Sequence, residues 1–255
     1  RIAINTPVFT PYIQIPRLSN FDLAEIDLQA REENQWHIPD SEFEKLLDPS
    51  VKAFFLVNPS NPGSRSLTDE SLEQLRKVVV KRPDLIIITD DVYGTFVNGF
   101  RTVYSVCPRN TILVYSYSKL YGVTGWRLGV IAINEDNVFD ELIKKLPEKK
   151  KKELESDYSI VTLNPSEMSF IDRVCADSRS IGLYHTAGLS TPQQIMMVLL
   201  SMTHLVLENE KDQYIEACKE ITAIRYHNLM STLGLPEDNS DSNAKYYTLI
   251  DIYQL

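Results

Sequence analysis

Three groups of residues able to do chemistry each follow a short apolar run. Ser116-Tyr117-Ser118-Lys119 comes directly after Ile112-Leu113-Val114-Tyr115, and Gly122, Gly125, Trp126, Arg127 and Gly129 come next. A lysine just beyond a strand is partly buried, and burial favours the neutral amine that attacks an aldehyde. Arg127, eight residues further on and past a glycine-bearing loop, could return to grip a phosphate at two points while Ser116 donates its hydroxyl. Singly, Lys119 reads as a surface residue and Arg127 as a salt-bridge partner; at this joint spacing the ligand reading is the stronger one.

The second group, Asp90-Asp91-Val92-Tyr93, ends the run Leu85-Ile86-Ile87-Ile88-Thr89. Two acids at the end of a buried strand are costly unless donors or a cation compensate them. Successive strand residues point to opposite sides, so only one of the pair can meet a given ligand. The plain alternative for Asp91 is a helix N-cap. The third group, Asn58-Pro59-Ser60-Asn61-Pro62-Gly63-Ser64, follows Phe55-Leu56-Val57. Its prolines end the strand and hold a short amide over the sheet edge, although the same residues also suit an ordinary turn.

The elements that must position these groups are short β-branched runs alternating with amphipathic stretches, the pattern of a mostly parallel sheet covered by helices. The spacing predicts strands at 2–4, 23–26, 52–57, 85–89, 111–115 and 128–133. Ser41 to Glu44 reads as a capping box, and Thr68 as the cap of a helix that runs through Val80 and is stopped by Pro83. Beyond residue 133 the periodicity turns helical, at 135–146, 148–157, 165–181 and 192–233. A polar linker at 239–243 precedes an expected strand at 246–252. All three reactive groups then sit at the C-terminal ends of parallel strands, where open α/β sheets bind ligands.

With their spacing, these motifs resemble the fold-type I pyridoxal-phosphate enzymes of the aspartate aminotransferase family. The resemblance implies the family's large domain: an α/β, three-layer sandwich with a mostly parallel mixed sheet, followed here by a helical second half. It implies that Lys119 carries pyridoxal 5'-phosphate as a Schiff base and shuttles protons once substrate displaces it. Asp90 would pair with the pyridinium nitrogen and keep the ring an electron sink. Asn61 and Tyr93 would donate to the 3'-oxygen, Ser116 and Arg127 would hold the phosphate, and Ser118 would be a further cofactor contact. No metal is expected, and no role is carried over to Asp91.

Gly63-Ser64 departs from the family's usual Thr-Gly. That departure, with Thr6 to Tyr12, Asp90 to Phe96, the insertion from Leu146 to Ser159 and His185 to Gln194, is similar to the bifunctional aspartate aminotransferase/aspartate 4-decarboxylase subgroup. The implied reaction converts aspartate to alanine and carbon dioxide, with transamination between aspartate and a 2-oxo acid alongside it. No arginine occurs at His185-Thr186, where aminotransferases often bind the distal carboxylate. Residues 1–238 are expected to form the cofactor-binding domain, its start lying before Arg1, and 239–255 the linker and opening of a C-terminal domain. A homodimer or larger homo-oligomer is implied. The other readings are a plain aminotransferase of different specificity and a non-catalytic regulatory domain on the same fold.

The remaining composition is consistent with this. Hydrophobic residues make up 43% against 24% charged, as in an ordinary globular chain. A formal net charge of -9 argues against nucleic acid, which is bound by basic surfaces. The run Lys149 to Lys152, flanked by acids, reads as a solvated helix face. Three scattered cysteines fit a reducing, cytoplasmic setting, and no apolar run reaches the roughly 20 residues of a membrane helix.

Overall fold

The computed structural model describes residues 1–179, 188–206 and 212–254. Six strands form one sheet in the order β2-β1-β3-β4-β5-β6. They are β1 (Ile2–Thr6), β2 (Glu25–Gln29), β3 (Ala53–Val57), β4 (Ile86–Asp90), β5 (Thr111–Ser116) and β6 (Gly129–Ala132). All neighbours run parallel except β5 and β6, which are antiparallel. The six strands predicted between residues 2 and 133 are present. Only β2 is displaced, toward the alternating Glu-Ile-Asp-Leu-Gln stretch, which suits an edge strand with one buried position at Leu28.

The inner strands are apolar on both sides because both sides are covered. Ala3, Leu28, Phe54, Leu56 and Ile87 face a core closed by Phe43 of α2 (Asp40–Phe43) and by Leu72, Leu75 and Val78 of α3 (Asp69–Lys81). Thr68 caps α3 by accepting the Ser71 amide at 3.2 Å, and Arg82 ends it. Arg82 is buried and donates to the carbonyls of Leu46, Asp48 and Val51 while pairing with Asp84, so one guanidinium ties the end of α3 to the approach to β3. On the opposite face Phe55 and Val57 pack with Tyr93, Leu120 and Ile215.

The expected capping box at Ser41 does not form. Helix α2 starts after Pro39 with no side-chain cap, and a 3-10 turn, Glu44–Leu47, continues it. The helical half consists of α4 (Val138–Lys144), α5 (Glu148–Tyr158), α6 (Phe170–Arg179), α7 (Thr191–Val206) and α8 (Gln213–Leu233). Helix α1 (Pro11–Leu18) was not anticipated. The stretch 165–181 is interrupted before α6, where Ser169 and Asp172 cap each other: the Ser169 amide bonds Asp172 Oδ2 and the Asp172 amide bonds Ser169 Oγ, both at 3.2 Å. Helix α5 is a solvated face as expected, with Lys150 paired to Glu153 and Lys151 to Glu148. The expected strand at 246–252 is absent, because the amides that would begin it are bonded to a serine side chain instead. Among the described residues no helix is long and apolar enough to cross a membrane.

Candidate active site

The three sequence groups converge on the C-terminal edge of β3, β4 and β5, and their positions follow from strand parity. Val57 is the register partner of Asp90, and Phe55 of Ile88, so Asp90 stands on the Phe55 side of the sheet. Asp91 stands on the other side, where it is 4% exposed and accepts from Thr89 Oγ1 at 2.5 Å. Of two adjacent acids, then, only Asp90 faces the shelf above the edge. The turn-capping role also falls to Asp90 rather than Asp91, since Asp90 Oδ1 accepts the Val92 amide at 3.1 Å.

Asp90 has a second partner that sequence reasoning missed. The Tyr12 hydroxyl donates to Asp90 Oδ2, and the Tyr12 ring packs on Phe55 with centroids 4.4 Å apart. Burial raises the Asp90 carboxyl above its ordinary value, against the pull of Tyr12, the Val92 amide and the Lys119 charge. Burial, and then the Asp90 charge, hold the Tyr12 phenol well above its usual range. A signal for Tyr12 existed: the aromatic-bearing loop Thr6 to Tyr12 leaves β1 at the same sheet edge that carries the other groups.

The Asn-Pro loop is fixed from below. Asn58 is 1% exposed; its amide donates to the Asp90 carbonyl at 2.9 Å and its side-chain oxygen accepts the Leu67 amide at 2.8 Å. Asn61, less buried, donates through Nδ2 to the Tyr93 hydroxyl at 3.3 Å. That hydroxyl lies 3.1 Å from the hydroxyl of Tyr247. Burial raises the Tyr93 phenol strongly.

Lys119 lies in the turn after β5, half-buried and close enough for its charge to act on Asp90. Ser116 Oγ contacts the Leu128 carbonyl at 3.4 Å and accepts the Ser118 amide at 3.2 Å, so Ser118 enters through its backbone. The antiparallel pairing of Ser116 with Gly129 brings Arg127 back beside Ser116. Arg127 is exposed, in the left-handed region at φ 55°, and its Nη1 donates to the Thr124 carbonyl at 3.2 Å. No hydrogen bond joins it to Ser116 among the described residues. His185 and Thr186 lie outside those residues.

The donor set fits a phosphorylated pyridine aldehyde. It offers an amine at Lys119, a half-buried carboxylate for a protonated ring nitrogen at Asp90, two neutral donors at Asn61 and Tyr93, and a hydroxyl and a guanidinium at Ser116 and Arg127. Asp90 can serve the ring only because Tyr12 and Val92 each leave its oxygens a free lone pair.

Comparison with known proteins identifies the family. Residues 1–150 match the family described as aminotransferase class I and II. The chain is 51% identical over 253 residues to the bifunctional aspartate aminotransferase and L-aspartate beta-decarboxylase of Pseudomonas sp., covering 99% of this chain and 47% of that one. It is 32% identical over 139 residues to aromatic-amino-acid aminotransferase 2 of Thermococcus litoralis, covering 52% and 35%. In fold it is similar to the aspartate aminotransferase of Thermus thermophilus solved with maleate, with a TM-score of 0.64, 18% identity, and 95% and 53% of the two chains covered. It is likewise similar to cystalysin of Treponema denticola, solved with pyridoxal 5'-phosphate, with a TM-score of 0.61, 16% identity, and 91% and 50% covered. The chain thus spans about half, or less, of the length of the curated relatives it matches. It belongs to the class I and II aminotransferase family.

Proposed function

We propose that the protein containing this chain uses pyridoxal 5'-phosphate to convert L-aspartate to L-alanine and carbon dioxide, with transamination between aspartate and a 2-oxo acid as a second outcome. The observation that carries this reading is 51% identity across 99% of the chain to a relative bearing both activities in its name. Residues 1–238 serve as the cofactor-binding domain and 239–255 as the linker into a further domain, and the working unit is a homodimer or larger.

Bound on this shelf, the cofactor supplies an electron sink for the charge that develops next to the substrate nitrogen. Lys119 would be the amine that holds the cofactor's aldehyde and the base that takes the proton from the substrate Cα. Asp90 holds a proton on the ring nitrogen, and Tyr12 orients that carboxylate. Asn61 and Tyr93 donate to the ring's 3'-oxygen and so favour its anionic form. Ser116 and Arg127 hold the phosphate, with Ser118 bracing Ser116 from the backbone. The side chain that meets the departing β-carboxylate must not lock it in a strong ion pair, since that would stabilise the ground state.

Borohydride reduction of the full-length protein with cofactor, followed by peptide mapping, is expected to place the label on Lys119. Label on another lysine refutes the assignment. With aspartate, carbon dioxide and alanine are expected in equal amounts; oxaloacetate alone would refute the decarboxylase reading.

A further inference from the structure

Ser64 is buried at 2% exposure and adopts φ 61°, a left-handed conformation that favours glycine. A side chain retained at such a position needs a compensating task, and here it has one. Ser64 Oγ accepts the backbone amides of both Tyr246 and Tyr247 at 3.2 Å, and the Ser64 carbonyl accepts the Ala244 amide at 2.9 Å. The next two residues extend the fastening: Arg65 pairs with Asp238, and the Ser66 amide bonds the Ser242 carbonyl at 2.9 Å. The segment from Asp238 to Tyr247 is thereby bound to the loop that presents Asn61.

The result is a chain of three polar groups, from Asn61 Nδ2 to the Tyr93 hydroxyl at 3.3 Å and on to the Tyr247 hydroxyl at 3.1 Å. The Tyr93 oxygen has two lone pairs and one proton. Asn61 can only donate through Nδ2 and occupies one lone pair. If Tyr247 donates to the other, the Tyr93 proton is left to point at a ligand; if Tyr247 accepted, that proton would be used up inside the protein. Tyr246 packs on the Tyr93 ring at 5.0 Å and Tyr247 edge-on at 5.3 Å, so the ring has little freedom to turn away. The ionisable groups facing Tyr93 are Asp90, Tyr246 and Tyr247.

We propose that Tyr247, held in place by Ser64, is a positioning residue that donates to the Tyr93 hydroxyl and so aims the Tyr93 proton at the cofactor's 3'-oxygen. The inference rests on the function proposed above. Donation into Tyr93 also strengthens it as a donor, because hydrogen bonds in a chain polarise one another. A stronger donor at the 3'-oxygen lowers the proton affinity of the cofactor's link to Lys119.

The test is a pH titration of the bound cofactor's visible absorbance in the full-length protein, without substrate. In Tyr247→Phe the midpoint is expected to move up by about 0.5–1 pH unit, a three- to ten-fold gain in proton affinity for one lost hydrogen bond. Ser64→Ala removes the shared acceptor and is expected to shift the midpoint the same way. The double variant should shift no further than Tyr247→Phe alone, because Ser64 acts through Tyr247. A wild-type midpoint in Tyr247→Phe, or additive shifts in the double variant, overturns the inference and leaves the proposed function intact. A wild-type protein with no Lys119-dependent absorbance overturns both.

Discussion

Asp91 offers a test of how strand parity divides two adjacent acids. Its side chain is buried away from the shelf, and burial raises its carboxyl from 3.8 to about 6, against the hydrogen bonds from Thr102 and Thr89. A shift of roughly two pH units corresponds to about 3 kcal/mol. Because the folded state holds the proton more tightly than the unfolded one, the favourable contribution is fully present below the unfolded value. It is lost as pH rises through the folded value, after which the penalty is constant. With these values, about 2 kcal/mol of the loss falls between pH 4.5 and 7.5. Asp91→Asn cannot ionise, so the stability difference between variant and wild type should move in the variant's favour by about 2 kcal/mol across that interval. Any fixed cost of fitting the amide cancels, since it does not vary with pH. Urea unfolding of the full-length wild type and variant at several pH values measures the difference directly. Parallel stability profiles would show that Asp91 does not titrate in this window and would refute the reasoning.

Tyr12→Phe keeps the ring on Phe55 and deletes the donor to Asp90. A hydrogen bond to a charged group contributes about 1.5–3 kcal/mol, so kcat/KM for aspartate should fall about 10-fold or more; unchanged kinetics would remove Tyr12 from the site. Arg82→Lys keeps the charge but cannot reach the carbonyls of Leu46, Asp48 and Val51 together. It should cost about 2–4 kcal/mol in urea unfolding, and a loss below about 0.5 kcal/mol, typical of a surface change, would contradict the bonding described. Thr68→Ala removes the cap of α3 and should cost about 1 kcal/mol, while Thr68→Ser should restore most of it.

Much of the site was legible because it depends on apolar runs followed by turn residues. The strands ending at Val57, Asp90 and Ser116 are short, continuous and flanked by Pro, Gly or polar residues, and each carries its reactive group at one end. Parity allowed only one of Asp90 and Asp91 to meet a ligand, and the family resemblance pointed to Asp90. What was not legible depended on contacts between distant segments. Tyr12 and Asp90 are 78 residues apart and Tyr93 and Tyr247 are 154 apart, so no local pattern links either pair. The strand expected at 246–252 failed for a related reason: Tyr246-Tyr247-Thr248-Leu249-Ile250 has strand composition, but its first amides are bonded to Ser64. The break before α6 was visible in principle, since Ser169 and Asp172 have capping spacing, but the helical periodicity on either side concealed it.

The buried polar residues of the site also divide by what they bond. Asn58, Ser64 and Ser66 are buried and bond backbone groups, joining the end of β3 to β4 and to the segment at 238–247. Asn61 and Tyr93 bond each other through side chains, and the half-buried Lys119 lies close enough for its charge to act on Asp90. The first set fixes distances through backbone hydrogen bonds, which leaves the second set free for a ligand without re-forming when it arrives. A donor already held in place needs no reorganisation when charge develops, and that preorganisation is what gives a polar site its catalytic effect. The Gly63-Ser64 departure from the usual Thr-Gly belongs to the first set. It adds a side-chain acceptor where the family ordinarily has none, and through it the segment bearing Tyr247 becomes part of the scaffold that positions Tyr93.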